Sequence, residues 1–230
     1  MNITWLGHAS FRIEIGGEVL LIDPWLTTNP SFPDESRAEA LAGASWIFLT
    51  HGHGDHAAEA LEIASETGAR IACIHEMAQV LEDRGATVTG FGKGGTLQLD
   101  GVAVTMVNAA HSASIDYTGD GLSVAGSEAG FMIAGEGHVI YVSGDTDIMA
   151  DMDWMGDLHR PDIGILCAGG HYTMDMERAA YAAKRYFDFK TVIPCHYKTF
   201  PILAQSADAL VAALPDVDVR VPEVMERLEF

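Results

Sequence analysis

The chain has 230 residues, 48% hydrophobic and 20% charged, which suits a folded domain and excludes a disordered or membrane-embedded chain on composition. Its 33 acidic residues against 13 basic ones give a formal net charge of −20. That field repels phosphate backbones and anionic lipid headgroups, so a nucleic-acid partner is not expected and neither is a membrane surface.

Taken in chain order, branched and aromatic runs broken by Gly or Pro predict strands at 3–6, 11–15, 19–22 and 46–50. Ala57, Leu61 and Ala64 recur at helical spacing with Gly68 as a stop, which predicts a helix over 57–67 and then a strand at 71–74. A helix at 76–83 follows, then strands at 87–90, 96–99 and 102–108, the last two joined through Asp100-Gly101 as a tight hairpin turn. The second half repeats the theme with strands at 129–134, 139–143, 163–166 and 191–194 and helices at 148–156, 175–187 and 207–214. In the helix over 175–187, Met176, Ala179, Ala180, Ala183 and Phe187 make a stripe that faces a core. Alternating strands and helices call for sheets covered by helices, built as one domain over residues 1–230.

Three widely spaced cysteines, Cys73, Cys167 and Cys195, form no CxxC pair and fit buried, reduced thiols. With no leader pattern at the first residues and no apolar run of about 18 residues, the expectation is a cytoplasmic protein without a membrane span.

Chemistry concentrates where the strand at 46–50 ends. His51-Gly52-His53-Gly54-Asp55-His56 crowds four ligand-type side chains onto a turn loosened by two glycines. Imidazole and carboxylate form the donor set expected of Zn²⁺ and its first-row neighbours. One turn cannot complete two metal shells, so further ligands are expected at other strand ends. His111, Asp145 in Ser143-Gly144-Asp145-Thr146, and His196 after Pro194-Cys195 stand at such ends.

The pattern His51-Gly52-His53-Gly54-Asp55-His56 resembles the HxHxDH signature of the metallo-β-lactamase superfamily. Within it, the chain is similar to the small metal-dependent hydrolases related to L-ascorbate-6-phosphate lactonase. That likeness rests on Leu6-Gly7-His8-Ala9-Ser10-Phe11, Leu21-Ile22-Asp23-Pro24-Trp25-Leu26, Gly144-Asp145-Thr146, Gly169-Gly170-His171-Tyr172-Thr173-Met174 and the run from Val192 to Pro201. The resemblance implies an α/β, four-layer αβ/βα sandwich with the metals at one edge of two sheets. It implies that His51, His53 and His111 hold one metal, that Asp55, His56 and His196 hold a second, and that Asp145 bridges them. Asp23 would support the metal loop by hydrogen bonding. Two divalent metals at roughly 3.5–4 Å hold a hydroxide that attacks a carbonyl or phosphoryl centre. Zinc is the first expectation, with Mn²⁺ or iron as substitutes. Asp55 could also orient the water, and His8 and His171 are candidates for general acid or oxyanion donor.

The function expected is therefore hydrolysis of a lactone or ester-type bond in a small molecule. A phosphodiesterase acting on a small phosphodiester or nucleic acid is the alternative within the same ligand set. A non-catalytic metal-binding or sensing protein is the alternative of another class, and it would predict loss of a ligand. A diiron oxidoreductase would carry an acidic residue where His53 stands. Lys198 could meet an anionic group on the substrate, assembly into a homo-oligomer fits relatives of this kind, and the loops 29–36 and 115–127 would shape specificity. Asp147 could cap the following helix or add a carboxylate near the metals, and Met174-Asp175-Met176-Glu177 departs from a Gly-Pro step at the next helix start.

Overall fold

Alternation builds the first strands: in Phe11–Ile15 the apolar Phe11, Ile13 and Ile15 are buried while Arg12 and Glu14 lie on the less covered face. The computed structural model describes residues 1–117, 119 and 121–230; Thr118 and Asp120, within the expected specificity loop 115–127, lie outside the described residues. The first half runs β1 (Asn2–Trp5), β2 (Phe11–Ile15), β3 (Glu18–Ile22), α1 (Arg37–Leu41), β4 (Trp46–Phe48), α2 (Gly54–Ala57), α3 (Ala60–Thr67), β5 (Arg70–Ile74), α4 (His75–Glu82) and β6 (Val88–Phe91). There follow β7 (Thr96–Leu99), β8 (Val102–Asn108), the short β9 (Ser114–Ile115) and β10 (Ser123–Val124), β11 (Ala129–Gly135) and β12 (His138–Val142). The chain continues with α5 (Met152–His159), β13 (Ile163–Cys167), α6 (Met176–Tyr186), β14 (Thr191–Cys195), α7 (Asp208–Ala213), β15 (Asp218–Val219) and β16 (Arg227–Glu229).

These strands form two large sheets, ordered β16-β1-β2-β3-β4-β5-β6 and β15-β14-β13-β12-β11-β8-β7. The sheets face one another across a shared core in which the Phe48 ring of β4 meets the Phe131 ring of β11 edge-on at 5.5 Å. Helices α3 and α4 cover the outer face of the first sheet, and α6, flanked by α5 and α7, covers the second. This is the four-layer αβ/βα sandwich expected from the sequence. Strands β13 and β14 are buried at every position, as parallel strands covered on both faces must be.

Strand direction places the functional residues. In the first sheet β3 and β4 are parallel, and β1 shares their direction because it is antiparallel to β2. In the second, β12, β13 and β14 are parallel, and β8 joins them through the antiparallel β11. The segments after β1, β3, β4, β8, β12, β13 and β14 thus emerge on one edge, carrying His8, Asp23, the run 51–56, His111, Asp145, His171 and His196. Three cysteines are free and buried, as expected, and no helix of the described residues is long and apolar enough to cross a membrane.

Several expectations shift. The helix expected over 57–67 begins earlier, at Gly54, and breaks into α2 and α3 at Glu59, whose carboxylate turns inward to accept the Leu26 backbone N–H at 2.9 Å. The helix expected at 148–156 starts instead at Met152. Asp147 neither caps it nor joins the ligand cluster; its carboxylate takes Arg178 Nε and Nη2 at 2.8 and 2.6 Å. The departure at 174–177 resolves simply: Asp175 caps α6 by accepting the Arg178 backbone N–H. Helix α1 lies just past the expected loop 29–36 and was not foreseen.

Candidate metal centre

The run after β4 delivers its ligands because the strand stops and the chain turns at once into α2, with the His53 carbonyl accepting the N–H groups of His56 and Ala57. His51 Nε2 and His53 Nδ1 face each other at 3.0 Å, and His111, arriving from the end of β8, brings its ring within 5.2 Å of both. Together they form one group of atoms close enough to share an ion. Asp55, His56 and His196 form a second such group, which also takes in His8. Asp145 Oδ2 lies between the groups, 3.0 Å from His196 Nε2, 3.4 Å from His56 Nε2 and 3.6 Å from His111 Nε2. The structure therefore brings all seven expected ligands together, with Asp23, His51 and His56 forming a third group of atoms that spans the two.

Behind them, Asp23 fixes which nitrogen each imidazole offers. Its Oδ2 accepts the Thr50 hydroxyl proton at 2.6 Å and its Oδ1 accepts the Thr50 backbone N–H at 2.7 Å. With its one proton spent, Thr50 Oγ1 must accept from His51 Nδ1 at 2.9 Å, which leaves the His51 Nε2 lone pair aimed at the centre. His56 Nδ1 lies 2.8 Å from Asp23 Oδ2 and donates to it, so Nε2 again faces inward. Thr50 stands in the run Thr50–His56 that matches the family, but no role for it was read from the sequence.

The backbone is held in a sparsely populated region here. His8, Asp23, His171 and His196 all have φ between 44° and 58°, a conformation costly for non-glycine residues and typical of functional sites. The strained ends are laced together: the His196 N–H donates to the His8 carbonyl at 2.9 Å, joining the two sheets. Gly169 and Gly144 permit this closeness, since a Cβ on the first would strike the His196 carbonyl and one on the second the Ala129 carbonyl.

The carboxylates and imidazoles of the centre shift one another strongly. Burial pushes the Asp145 carboxyl up, but His196 and His56 outweigh it and hold it well below the usual range. For Asp55, burial is likewise outweighed, by His56 and by the His8 hydrogen bond. Burial drives His51 well below its ordinary value, helped by His56, so it is a neutral donor at neutral pH. His56 goes the other way: burial lowers it, yet Asp145, Asp55 and Asp23 raise it well above the ordinary value. A proton on His56 thus stands where a metal charge would serve. Its Nε2 and Asp145 Oδ1 are buried with no hydrogen-bond partner among the described residues, a state costing about 1–3 kcal/mol per group that a bound cation relieves at the imidazole. Neutral imidazoles, ionised carboxylates and an orphaned inward nitrogen fit first-row divalent ions.

His8 sits behind this centre. It is fully buried, with Nδ1 2.9 Å from Thr199 Oγ1 and Nε2 3.0 Å from Asp55 Oδ2; burial and the nearby His196 push it down to about 4. His171 is exposed, its ring edge-on to Tyr172 at 4.4 Å, and it belongs to neither ligand group. Lys198 is exposed with Nζ 5.6 Å above the Tyr197 ring. The centre opens into a cavity of about 640 Å³ whose walls include Ser112, Asp116, Tyr172, Phe200 and Ile202. None of these wall residues was singled out from sequence except Tyr172 and Phe200, and those only as parts of matching segments.

The family model described as the beta-lactamase superfamily domain matches residues 2–196. A metal-dependent hydrolase of Dinoroseobacter shibae is 63% identical, covering 100% of each chain. Another of Cereibacter sphaeroides is 64% identical over 98% of each. Among solved structures, Igni18, a metallo hydrolase from the hyperthermophilic archaeon Ignicoccus hospitalis, superposes with a TM-score of 0.86 at 33% identity, over 100% of this chain and 98% of that one.

Proposed function

The chain belongs to the metallo-β-lactamase superfamily and is one of its metal-dependent hydrolases, and from that premise we propose that it cleaves a lactone or ester-type bond in a small molecule at a two-metal centre. The observation that carries this reading is the position of Asp145 Oδ2, within 3.6 Å of imidazoles from both ligand groups. His51, His53 and His111 would hold one ion, Asp55, His56 and His196 the other, with Asp145 between them. Zinc suits the donors, and Mn²⁺ or iron could replace it.

When bound, such ions bring the pKa of a captured water toward neutrality and polarise the oxygen of the scissile bond. The chain's own groups supply orientation. Asp55, with side chain 30% exposed, reaches the cavity; since His8 occupies its Oδ2, its Oδ1 would be the atom to orient the attacking water. His8 is closed off from the cavity by burial, so it positions Asp55 rather than touching substrate. That narrows the wider role expected from sequence. His171, adjacent to the wall residue Tyr172, is the candidate proton donor to the leaving oxygen. Small molecules are the partners proposed, in what we take to be a single cytoplasmic domain.

Metal analysis of purified protein followed by a panel of lactones, esters, thioesters and phosphodiesters tests this. About two equivalents of metal per chain and turnover in the lactone or ester class are the expected results. Fewer than one equivalent under metal-replete conditions, with His51→Ala folded like wild type, would overturn the two-metal reading. Turnover confined to phosphodiesters would overturn the bond assignment.

A further inference from the structure

The cavity over the centre has a lopsided lining. Five of the candidate ligands, His53, Asp55, His111, Asp145 and His196, reach it, and Phe200, Ile202 and Tyr172 supply its apolar lining. Ile202 is 55% and Tyr172 58% exposed, so large apolar surface faces open space directly beside the reacting position. Phe200 is braced from behind, its ring 5.6 Å from His8 and 6.0 Å from Trp25. Gln205 Nε2 ties down the turn that carries both Phe200 and Ile202, donating to the carbonyls of Phe200 and Leu203. Apolar side chains held this way beside a polar floor are the usual make-up of a ligand pocket.

Charge is equally one-sided. None of the 13 lysines and arginines, all of them among the described residues, lines the cavity. The basic groups closest in sequence to its walls are occupied elsewhere: Lys198 lies over the Tyr197 ring, and Arg178 is engaged by Asp147. The wall does carry Asp116. Two divalent ions against two ligand carboxylates would leave the floor itself cationic, so a polar scissile group is well met there. Any second anionic group, farther out on the substrate, would find an acidic side chain, an apolar wall and a chain of net charge −20.

We propose that the non-reacting arm of the substrate is uncharged and apolar, an alkyl or aryl group seated against Phe200, Ile202 and Tyr172, rather than a phosphate or carboxylate arm. This rests on the hydrolase reading in taking the cavity as the substrate's. It replaces the sequence-based expectation of an anionic group met by Lys198. Each methylene buried on this wall is worth about fourfold in binding. A carboxylate brought to about 4 Å from Asp116 loses roughly fivefold to that repulsion alone, even in water.

The experiment uses metal-loaded protein and two hydroxamates that share a metal-binding head and differ in tail, octanohydroxamate and suberic acid monohydroxamate, with dissociation constants read by calorimetry. Octanohydroxamate is expected to bind more tightly by about tenfold or more, and Ile202→Arg to close most of that gap. Because Ile202 is largely exposed, the variant should fold, and its metal content and circular dichroism check that it does. Equal affinities in the wild type, or tighter binding of the charged tail, overturn the inference whatever the esters do. Ethyl esters with the same two tails are assayed in parallel to separate the two readings. The expected tail preference with neither ester cleaved supports the apolar arm and counts against the bond assignment. Both esters cleaved, with the charged tail bound equally well, removes the apolar arm and leaves the bond assignment standing.

Discussion

The two ligand groups are unlike in depth and in what stands behind them. His53 and His111 are only partly buried at the cavity, and of their group His51 alone has a short, well-placed bond on its outer nitrogen; His53 Nε2 meets Ser112 Oγ only at 3.4 Å. In the other group His56 and His196 are fully buried, Asp55 supplies a formal negative charge, and His8 backs Asp55 from the interior. His196 Nδ1 has no partner among the described residues, but its backbone is pinned to His8 and its ring lies against the His8 ring at 3.9 Å. If each group holds an ion, as proposed, the deep, carboxylate-containing group should hold its cation more tightly and exchange it more slowly than the all-imidazole group at the rim.

The strongest way to break the contrast is to remove what the groups share. Asp145→Asn takes away the charge that lies within 3.6 Å of the inward nitrogens of both, so both equivalents of metal should weaken together. Hydrolysis should fall by more than about 100-fold, beyond the range for loss of an outer partner. Retention of both metals at wild-type affinity, measured by calorimetric titration, would show that Asp145 does not stand between them. Next in size is the comparison of His111→Ala with His196→Ala. Both should lose most activity, but His111→Ala should keep one tightly held equivalent whereas His196→Ala should keep only a readily chelated one. The reverse order in a timed chelator challenge would sink the rim-and-interior distinction.

A smaller effect separates the groups through their support. Asp23 touches one histidine of each, His56 directly and His51 through Thr50. An amide in its place must present an N–H to one of three donors, so Asp23→Asn should cost about 10–100-fold in affinity at both positions. Thr50→Val breaks only the His51 arm and should cost about tenfold at the rim position alone. Equal losses at both positions in Thr50→Val would mean that the tautomer of His51 is not set locally.

How much of this was legible in the sequence follows from what each feature needs. The strands Phe11–Ile15, Thr96–Leu99 and Val102–Asn108 match expectation residue for residue, because alternation and turn residues are local signals. The seven candidate ligands were legible because few structural uses exist for four such groups in six residues, and because the others stand at strand ends. Glu59 was not, since it reads as an exposed helix residue and becomes inward only by meeting Leu26 and Arg37 from distant segments. Asp116 was legible only as part of the loop 115–127 expected to shape specificity, and Thr199 only as part of the matching run from Val192 to Pro201; nothing local to Thr199 announces a partner 191 residues away. The apolar wall was hidden too, because Ile202 and Phe200 resemble core residues until the fold leaves them facing open space.

The last and smallest effect concerns the metal-free protein, where protons replace metals and the two groups titrate in different windows. His8 is depressed to about 4 from an ordinary 6.5, chiefly by burial, and His51 is depressed as well. As pH falls below 6.5 the unfolded chain binds protons at these positions that the folded chain refuses, so stability declines, by on the order of 3 kcal/mol from His8 alone once pH nears its folded value. His56 is raised above 6.5 despite its burial, by Asp145, Asp55 and Asp23. Its contribution is fully present below the unfolded value and is lost as pH rises toward the folded one. Urea unfolding in the presence of a chelator should therefore show stability peaking near pH 6.5, with His8→Asn flattening the acid side and leaving the alkaline side in place. Saturating metal should abolish the alkaline decline, because ions replace the proton on His56 and bind the folded state alone. A steady rise in metal-free stability from about pH 5 to 8 would mean that His56 carries no proton, and that the interior group is not the one starved of positive charge.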